Sequence, residues 1–334
     1  MNTLLAHLLE AASRAPSAHN TQPWQLRWQE NELQVCVAEH RMLRVADPEG
    51  FDTLHAIGAM LENLLLTLRQ LGFEGEYQVA DDWNLSEPVV LLRWRARPGF
   101  EPDSKLYRMI PIRHTSRLPY LPEVIPPRVL EQIREAAACP TKLYLLTDPT
   151  AIDEIRSLAA TFGANALQNQ KYASELYRWI RFSRRDAGWY RDGLNAECMG
   201  WNRIESSFAK KLLAPAIASR LAKFWCSRWM YTNAGQQAPF APALCLLVTQ
   251  DCSFAGHFNA GRDLQRVWLT AAANRLSTHP LSAAVDDPTA QQRVFKLFGV
   301  AAGEVHVNLF RLGTPPMTPR SPRLPADELL DSYA

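Results

Sequence analysis

A short loop of prolines and polar side chains near the N-terminus is the segment of this sequence best suited to contact a ligand. Residues 15–24 read Ala-Pro-Ser-Ala-His-Asn-Thr-Gln-Pro-Trp. The two prolines restrict the loop backbone, while Ser17 and Asn20 carry hydroxyl and amide groups that can hydrogen-bond a small molecule. In isolation, the same residues could form only a polar turn at the end of a helix. The loop is therefore a candidate binding loop whose interpretation depends on the rest of the chain.

A second polar segment carries paired basic residues. Residues 112–117 read Ile-Arg-His-Thr-Ser-Arg and are followed by two prolines at 126–127 that introduce a helix. Arg113 and Arg117 predict a phosphate clamp, because guanidinium donors match phosphate oxygens in pairs. A solvated basic turn in front of a helix is the alternative for this segment on its own.

Helices and strands around these segments must hold them in place. Apolar residues at helical or alternating spacing distinguish the two kinds of element. The predicted helices cover residues 4–12, 53–71 and 128–138. The predicted strands cover residues 24–28, 33–37, 89–94, 142–146 and 305–312.

The order of these elements occurs twice along the chain. Residues 261–270 align with residues 58–67, with Gly, Leu, Leu and Thr at the same offsets. Such an internal repeat predicts an α+β protein of two fused, pseudo-symmetric halves, each with a mainly antiparallel sheet and a long central helix. We place the halves at residues 1–105 and 106–334. A helical insertion at about residues 153–237 has no counterpart in the first half.

The two polar segments together resemble those of the FMN-dependent nitroreductases. They are most similar to the fused, two-half branch of that family, the Acg-like FMN-binding oxidoreductases of mycobacteria. In that family the flavin sits at a subunit interface, with the Arg-rich segment and the Pro-Ser-Asn loop contributed by different subunits. Here the first half has only the loop and the second half only the Arg-rich segment. The resemblance therefore implies a nitroreductase-like fold with one composite site, and one FMN, per chain.

Two further segments take part in the site that the resemblance implies. Residues 278–283 resemble the stretch whose backbone faces flavin N5, although an ordinary turn after a helix is equally compatible. Residues 320–325 resemble the final basic segment of the family, where Arg323 matches and Ser321 replaces the usual lysine; a disordered basic tail is the alternative. The implied cofactor-binding residues are Pro16, Ser17, Ala18, His19, Asn20, Arg113, His114, Thr115, Arg117, Pro280, Leu281, Ser282, Arg320 and Arg323.

The resemblance implies an oxidoreductase. Hydride would pass from NADH or NADPH through FMN to a nitroaromatic, quinone or similar acceptor in a ping-pong cycle, so the flavin carries the chemistry and no side chain is assigned a catalytic role. An FMN-storing or sequestering protein with little turnover is the alternative function. A third possibility is an enzyme that acts on one dedicated intracellular substrate.

The helical insertion bears on the choice between these functions. It is rich in arginine and tryptophan, including Trp179, Trp189, Trp201, Trp225 and Trp229. We expect it to form a lid that packs these tryptophans over the flavin pocket, and a permanently closed lid would favour storage. Residues 208–225 could instead form an amphipathic helix on an anionic membrane, although Pro215 interrupts them.

Composition excludes several other classes of protein. The chain has 334 residues, 47% of them hydrophobic, and a net charge of +2, which gives no electrostatic footprint for nucleic acid. Its apolar stretches, such as residues 240–248, reach about half of the roughly 20 residues that a membrane-spanning helix requires. The six cysteines show no metal-binding or disulfide spacing, so no metal is predicted.

Location and assembly follow from the same features. The N-terminal residues lack the pattern of a signal peptide, and the expectation is a cytoplasmic protein that binds a small-molecule substrate. An internal pseudo-dimer needs no second chain, so a monomer and a homodimer are both compatible with the sequence.

Overall fold

The structure is a computed structural model that describes residues 3–97, 99, 104–221, 240–316 and 320–331. The first part of the chain forms α1 (Thr3–Ser13), β1 (Trp24–Gln29), β2 (Glu32–Val37), α2 (Phe51–Gln70), β3 (Phe73–Val79) and β4 (Val90–Ala96). The middle part forms α3 (Ser104–Tyr107), α4 (Pro127–Arg134), β5 (Thr141–Leu146), α5 (Pro149–Ala166), α6 (Gln170–Trp179), β6 (Ile180–Arg181), β7 (Leu194–Asn195), α7 (Arg203–Leu212) and α8 (Pro215–Leu221). The last part forms β8 (Ala243–Thr249), α9 (Phe254–Ala273), β9 (Ser277–Pro280), α10 (Pro288–Phe298) and β10 (Val305–Gly313).

Two four-stranded antiparallel sheets have the same topology. Their strand orders are β1-β2-β4-β3 and β5-β8-β10-β9. In each sheet the long central helix, α2 or α9, connects the second strand in the chain to the third. The predicted α+β arrangement with a repeated order of elements is confirmed. The exact division at residue 105 stays a prediction.

The two central helices cross at the glycines that the internal repeat aligns. A Cβ atom on Gly58 would lie 2.1 Å from the carbonyl oxygen of Phe258, and one on Gly261 would lie 2.3 Å from that of His55. Only glycine permits such a close approach of two backbones. The two contacts are reciprocal, as expected where equivalent faces of related halves meet.

The predicted strands and helices are found close to their expected places, but three strands of the two main sheets, β3, β8 and β9, were missed. β8 is buried along its whole length, because alternate residues pack into apolar clusters on opposite faces of its sheet. Its uninterrupted apolar sequence therefore lacks the alternation of a half-exposed strand. β3 is an edge strand with acidic residues on its exposed face, and its sequence resembles a polar loop. α4 ends at Arg134, four residues before the predicted end.

The C-terminal segment returns to the first sheet. Leu330 forms a parallel bridge with Leu26 in β1, and Leu329 is fully buried. The Arg27 guanidinium bonds the Asp331 carboxylate at 2.9 Å. Residues 320–331 thus pass over the N-terminal loop before they reach β1.

The insertion has a hydrophobic core of its own. α5 covers one face of the second sheet, and the residues that follow pack into a separate cluster that includes Leu176, Trp189, Met199 and Trp201. Trp225 and Trp229 lie outside the described residues. No described helix combines the length and the hydrophobicity needed to span a bilayer.

Candidate functional site

A cavity of about 250 Å³ lies where the predicted site segments meet. Its walls come from the N-terminal loop, the start of α2, the Arg-rich segment, the insertion, the turn after β9 and the C-terminal segment. The cavity is lined by all fourteen residues that the sequence singled out, namely Pro16, Ser17, Ala18, His19, Asn20, Arg113, His114, Thr115, Arg117, Pro280, Leu281, Ser282, Arg320 and Arg323. The structure thus brings these residues together around one cavity, and their contacts with a cofactor stay predictions.

The N-terminal loop is held in an unusual backbone conformation. His19, Asn20 and Gln22 have φ angles of 47°, 56° and 52°, in the left-handed region that residues other than glycine rarely adopt. The Ser17 hydroxyl accepts a hydrogen bond from the Gln22 backbone N–H at 2.9 Å. Such strain persists only where surrounding contacts enforce it, and it concentrates at functional sites.

Gln22 and Asn20 fasten this loop to distant segments. The buried Gln22 amide donates to the Arg191 carbonyl at 3.0 Å and accepts from the Leu324 backbone N–H at 2.9 Å. The Asn20 amide nitrogen donates to the carbonyls of Gly193 and Pro322, at 3.1 and 3.0 Å. These bonds give the Asn20 side chain a structural role in addition to the ligand contact that the resemblance implies.

Four arginines converge on one part of the cavity, and we call Arg14, Arg113, Arg117 and Arg323 the arginine cluster. Arg113 is 6% exposed and donates one bond, from Nη2 to the Arg14 carbonyl at 3.2 Å. Its Nε and Nη1 have no partner in the described structure, nor have Arg117 Nη1, Arg323 Nε and Arg14 Nε. Arg323 Nη1 bonds Asn20 Oδ1 at 2.8 Å, which joins the cluster to the loop.

Burial makes these charges costly. Desolvation, followed by repulsion from Arg323, lowers the pKa of Arg113 to about 9. Desolvation and the nearby Arg14 lower the pKa of Arg323 to about 10, and burial also lowers the pKa of Arg117. Within the part of the chain that the structure describes, no carboxylate forms an ion pair with Arg113, Arg117 or Arg323. The cluster therefore has the donors and the charge to bind an anion.

The unsatisfied polar atoms concentrate around the cavity. Thirteen buried side-chain nitrogen and oxygen atoms have no hydrogen-bond partner among the described residues, and nine of them belong to residues that line this cavity. Besides the arginines, these residues are His19, His55, Trp268 and Asn308. Buried polar groups are almost always bonded in folded proteins, so this concentration indicates a site shaped for a polar ligand.

The Arg-rich segment runs beside β9. Thr115 forms a parallel bridge with Thr278, and the Ser277 hydroxyl donates to the His114 carbonyl at 2.8 Å. This extra pairing fixes the direction of the two arginines of the segment.

A fully buried arginine on β10 binds the backbone of the Arg-rich segment. Arg311 donates from Nε to His279 Nδ1 at 2.9 Å and from Nη2 to the Ser116 and Leu118 carbonyls, each at 2.9 Å. Its guanidinium lies 4.2 Å from the ring centre of Tyr120. Because His279 lines the cavity, this network links the wall of the site to the second sheet.

The remaining predicted residues occupy different positions. Arg320 is exposed and donates to the Pro111 carbonyl at 2.7 Å, so only Arg323 of the C-terminal segment lies in the buried cluster. Burial and the nearby Arg117 lower the pKa of His19 to about 4, which leaves its ring neutral at physiological pH. Pro280 at the end of β9 and the following residues Leu281 and Ser282 also line the cavity.

The insertion forms part of the wall, but not through its tryptophans. Its lining residues are Ala159, Tyr172, Leu176, Leu194 and Met199. Trp189 and Trp201 pack inside the core of the insertion, and Trp179 is buried near the guanidinium groups of Arg41 and Arg181. The expectation of tryptophans over the pocket is wrong for these three residues, because Trp189 and Trp201 build the insertion's own core and Trp179 packs against arginine side chains.

Sequence reasoning missed the acidic residues of the cavity. Asp52 lies in the first turn of α2 and Asp286 lies just before α10, and both line the cavity together with His55. Burial, followed by the nearby Asp47, raises the pKa of Asp52 to about 7. The available signal was a polar Asp and His at the start of a helix that is otherwise apolar.

No family model matches the chain, but curated relatives do. The chain is 24% identical over 334 residues to a Mycobacterium tuberculosis protein that bears the name NAD(P)H nitroreductase acg, covering 96% of this chain and 93% of that protein. It is 24% identical over 304 residues to a Serratia protein that bears the name NAD(P)H nitroreductase PigM, covering 86% and 82%. The chain is thus similar, over most of its length, to two proteins that bear the name NAD(P)H nitroreductase. Its matches to two other M. tuberculosis proteins span less than half of those proteins, 38% and 49%.

Two solved structures with bound FMN are similar to the chain at a low level. A nitroreductase with bound FMN from Desulfitobacterium hafniense DCB-2 is 11% identical with a TM-score of 0.40, covering 67% of this chain and 95% of that chain. An oxidised iodotyrosine deiodinase bound to FMN and 3-iodo-L-tyrosine is 15% identical with a TM-score of 0.40, covering 66% and 95%.

Proposed function

We propose that this nitroreductase-like protein binds one FMN per chain in the cavity and uses NAD(P)H to reduce a nitroaromatic, a quinone or a similar acceptor. The observation that carries the proposal is the arginine cluster, whose buried donors lack partners, in one cavity with the strained Pro-Ser-Asn loop. The M. tuberculosis and Serratia relatives, which match the chain over most of their length, bear names that support NAD(P)H-dependent reduction.

The residues present fit FMN on two counts. The arginine cluster supplies several unpaired N–H donors and positive charge for a phosphate group, which guanidinium groups bind in pairs. Trp268 Nε1 and Asn308 Oδ1 add an unpaired donor and an unpaired acceptor to the wall, suited to the polar edge or ribityl chain of a flavin.

In this proposal the protein positions and encloses the cofactor. The flavin, when bound, takes a hydride from the nicotinamide and passes it to the acceptor. Arg113, Arg117 and Arg323 would hold its phosphate, while Gln22 and Asn20 keep the loop in shape. The apolar side chains Leu176, Leu194 and Met199 from the insertion would exclude water from the wall that faces the acceptor.

The test is the visible spectrum of the purified protein, followed by the FMN stoichiometry and stopped-flow mixing with NADH and NADPH. We expect a yellow protein with one FMN per chain whose flavin absorbance bleaches with at least one nucleotide. A colourless protein that cannot be reconstituted with FMN would overturn the cofactor proposal. Bound FMN that neither nucleotide bleaches would overturn the oxidoreductase and favour FMN storage.

A further inference from the structure

Two carboxylates line the cavity without a bonding partner. Asp52 comes from the first half of the chain and Asp286 from the second. In the described structure neither side chain has a hydrogen-bond donor or a cation beside it. Asp47, by contrast, accepts bonds from the backbone N–H groups of Asp52 and Thr53, at 3.1 and 3.0 Å, and serves the start of α2.

A histidine at the same end of the cavity provides an independent sign of a ligand. His55 follows Asp52 by one helical turn, is 6% exposed and lines the cavity. Its Nε2 lies 3.3 Å from His257 Nδ1, whereas its own Nδ1 is buried and has no partner among the described residues. An unpaired polar atom in such a place costs free energy unless a ligand bonds it.

Among the described residues, no ion pair joins Asp52 or Asp286 to the arginine cluster. Burial is the main cause that raises the pKa of both Asp52 and Asp286, with Asp47 adding to it, and Asp52 also acts on Asp286. The two carboxyl groups therefore lie close enough for the charge of one to disfavour ionisation of the other. A cation beside Asp52 and Asp286 would relieve the cost of their ionisation.

We propose that Asp52 and Asp286 bind the protonated amine of an organic acceptor, on the part of the cavity wall formed by the start of α2 and the residues before α10. The inference rests on the proposed function, in which the arginine cluster holds the cofactor phosphate. An organic cation fits better than a metal ion, because the neighbouring walls include Leu43, Ala46 and Leu176. Within the described ranges no group of three His, Cys, Asp or Glu side chains could hold a metal.

The test uses three nitroarenes that differ in one group: 4-nitrobenzylamine, 4-nitrobenzyl alcohol and 4-nitrobenzoate. Their affinities for the FMN-loaded protein are measured by isothermal titration calorimetry at neutral pH. We expect the amine to bind about tenfold more tightly than the alcohol, and the benzoate more weakly than both. Asp52→Asn and Asp286→Asn should each reduce the amine to the affinity of the alcohol and leave the alcohol unchanged. Asp81→Asn, at an exposed turn, is the matched control that keeps the preference.

Equal binding of amine and alcohol to the wild-type protein would overturn the inference, as would an amine preference that survives in both variants. The FMN content of each variant is read from its flavin absorbance and should stay at one per chain. If the wild-type chain takes up no FMN, the proposed function fails, and the same titration on the FMN-free chain still tests the amine preference.

Discussion

At the scale of single residues, the cavity is built from groups that burial disfavours. The arginine cluster has donors without partners, and its charges repel one another. An unpaired buried charge lowers stability, and apolar replacement of such groups is often neutral or stabilising. A protein retains such groups where a ligand makes use of them.

Arg113→Met tests this trade of stability for binding. We expect the variant to raise the free energy of unfolding of the FMN-free protein by about 1 kcal/mol. The substitution removes a buried, largely unpaired guanidinium and replaces it with an apolar side chain of similar volume. FMN affinity should fall about 100-fold through the loss of charge-assisted bonds to the phosphate. Urea denaturation and FMN titration give the two values. Arg95→Met, on the exposed face of β4, is the control that should retain FMN. A less stable Arg113→Met that keeps FMN would contradict the assignment.

The raised pKa of Asp52 gives a pH-dependent prediction. The carboxyl keeps its proton in the folded protein up to about pH 7, whereas in the unfolded chain it ionises near its ordinary pKa of about 3.9. The wild type therefore loses stability as the pH rises between these two values. Asp52→Asn should raise the free energy of unfolding by on the order of 2 kcal/mol above about pH 7, and the gain should vanish toward about pH 4. Denaturation of the wild type and of Asp52→Asn at several pH values measures the effect, with Asp81→Asn as the control. A gain in stability that does not change with pH would show that the raised pKa of Asp52 is not its cause.

At the scale of elements, the N-terminal loop shows how distant segments fix a local shape. Its left-handed residues are held by bonds to Arg191 of the insertion and to Leu324 of the C-terminal segment, both made by Gln22. Gln22 is fully buried and does not line the cavity. Its influence on a ligand can therefore act only through the shape of the loop.

Gln22→Ala isolates that influence. We expect FMN affinity to fall about tenfold, because the variant loses bonds of roughly 1 kcal/mol each that hold the left-handed backbone of the loop in place. Flavin fluorescence titration measures the affinity, and circular dichroism checks that the fold persists. Gln25→Ala in the adjacent strand, a partly exposed position, serves as the control. Unchanged affinity in Gln22→Ala would mean that the loop holds its shape without this side chain.

A helix, strand or site residue could be predicted from the sequence only where interactions between residues close together in the chain determine it. The periodicity of α2 and the alternation of β1 and β2 follow from nearby residues, so these elements were predicted closely. β8 was missed, because helices from distant parts of the chain cover both of its faces. Asp52 and Asp286 were missed for a similar reason: only the folded chain brings the start of α2 beside the turn after β9.

At the scale of the whole molecule, residues from both halves of one chain surround the cavity. The Asn20 side chain of the first half bonds Arg323 of the C-terminal segment, and Arg113 bonds the carbonyl of Arg14. The segments that the resemblance assigns to two subunits are thus adjacent within a single chain. The site should therefore be complete in a monomer, and an added homodimer should not change its stoichiometry.

A mixing experiment decides between a site within one chain and a site shared between chains. Asn20→Ala damages the loop and Arg113→Gln damages the arginine cluster, so each variant alone should bind FMN poorly. Equal amounts of two such variants, unfolded and refolded together, would regain about a quarter of the wild-type sites by random pairing if the loop of one chain met the arginines of another. We expect no recovery of FMN binding in the mixture, because each chain would combine its own intact segment with its own damaged one. Wild-type protein refolded in the same way is the control, and recovered flavin absorbance in the mixture would show that the loop and the arginine cluster pair across chains.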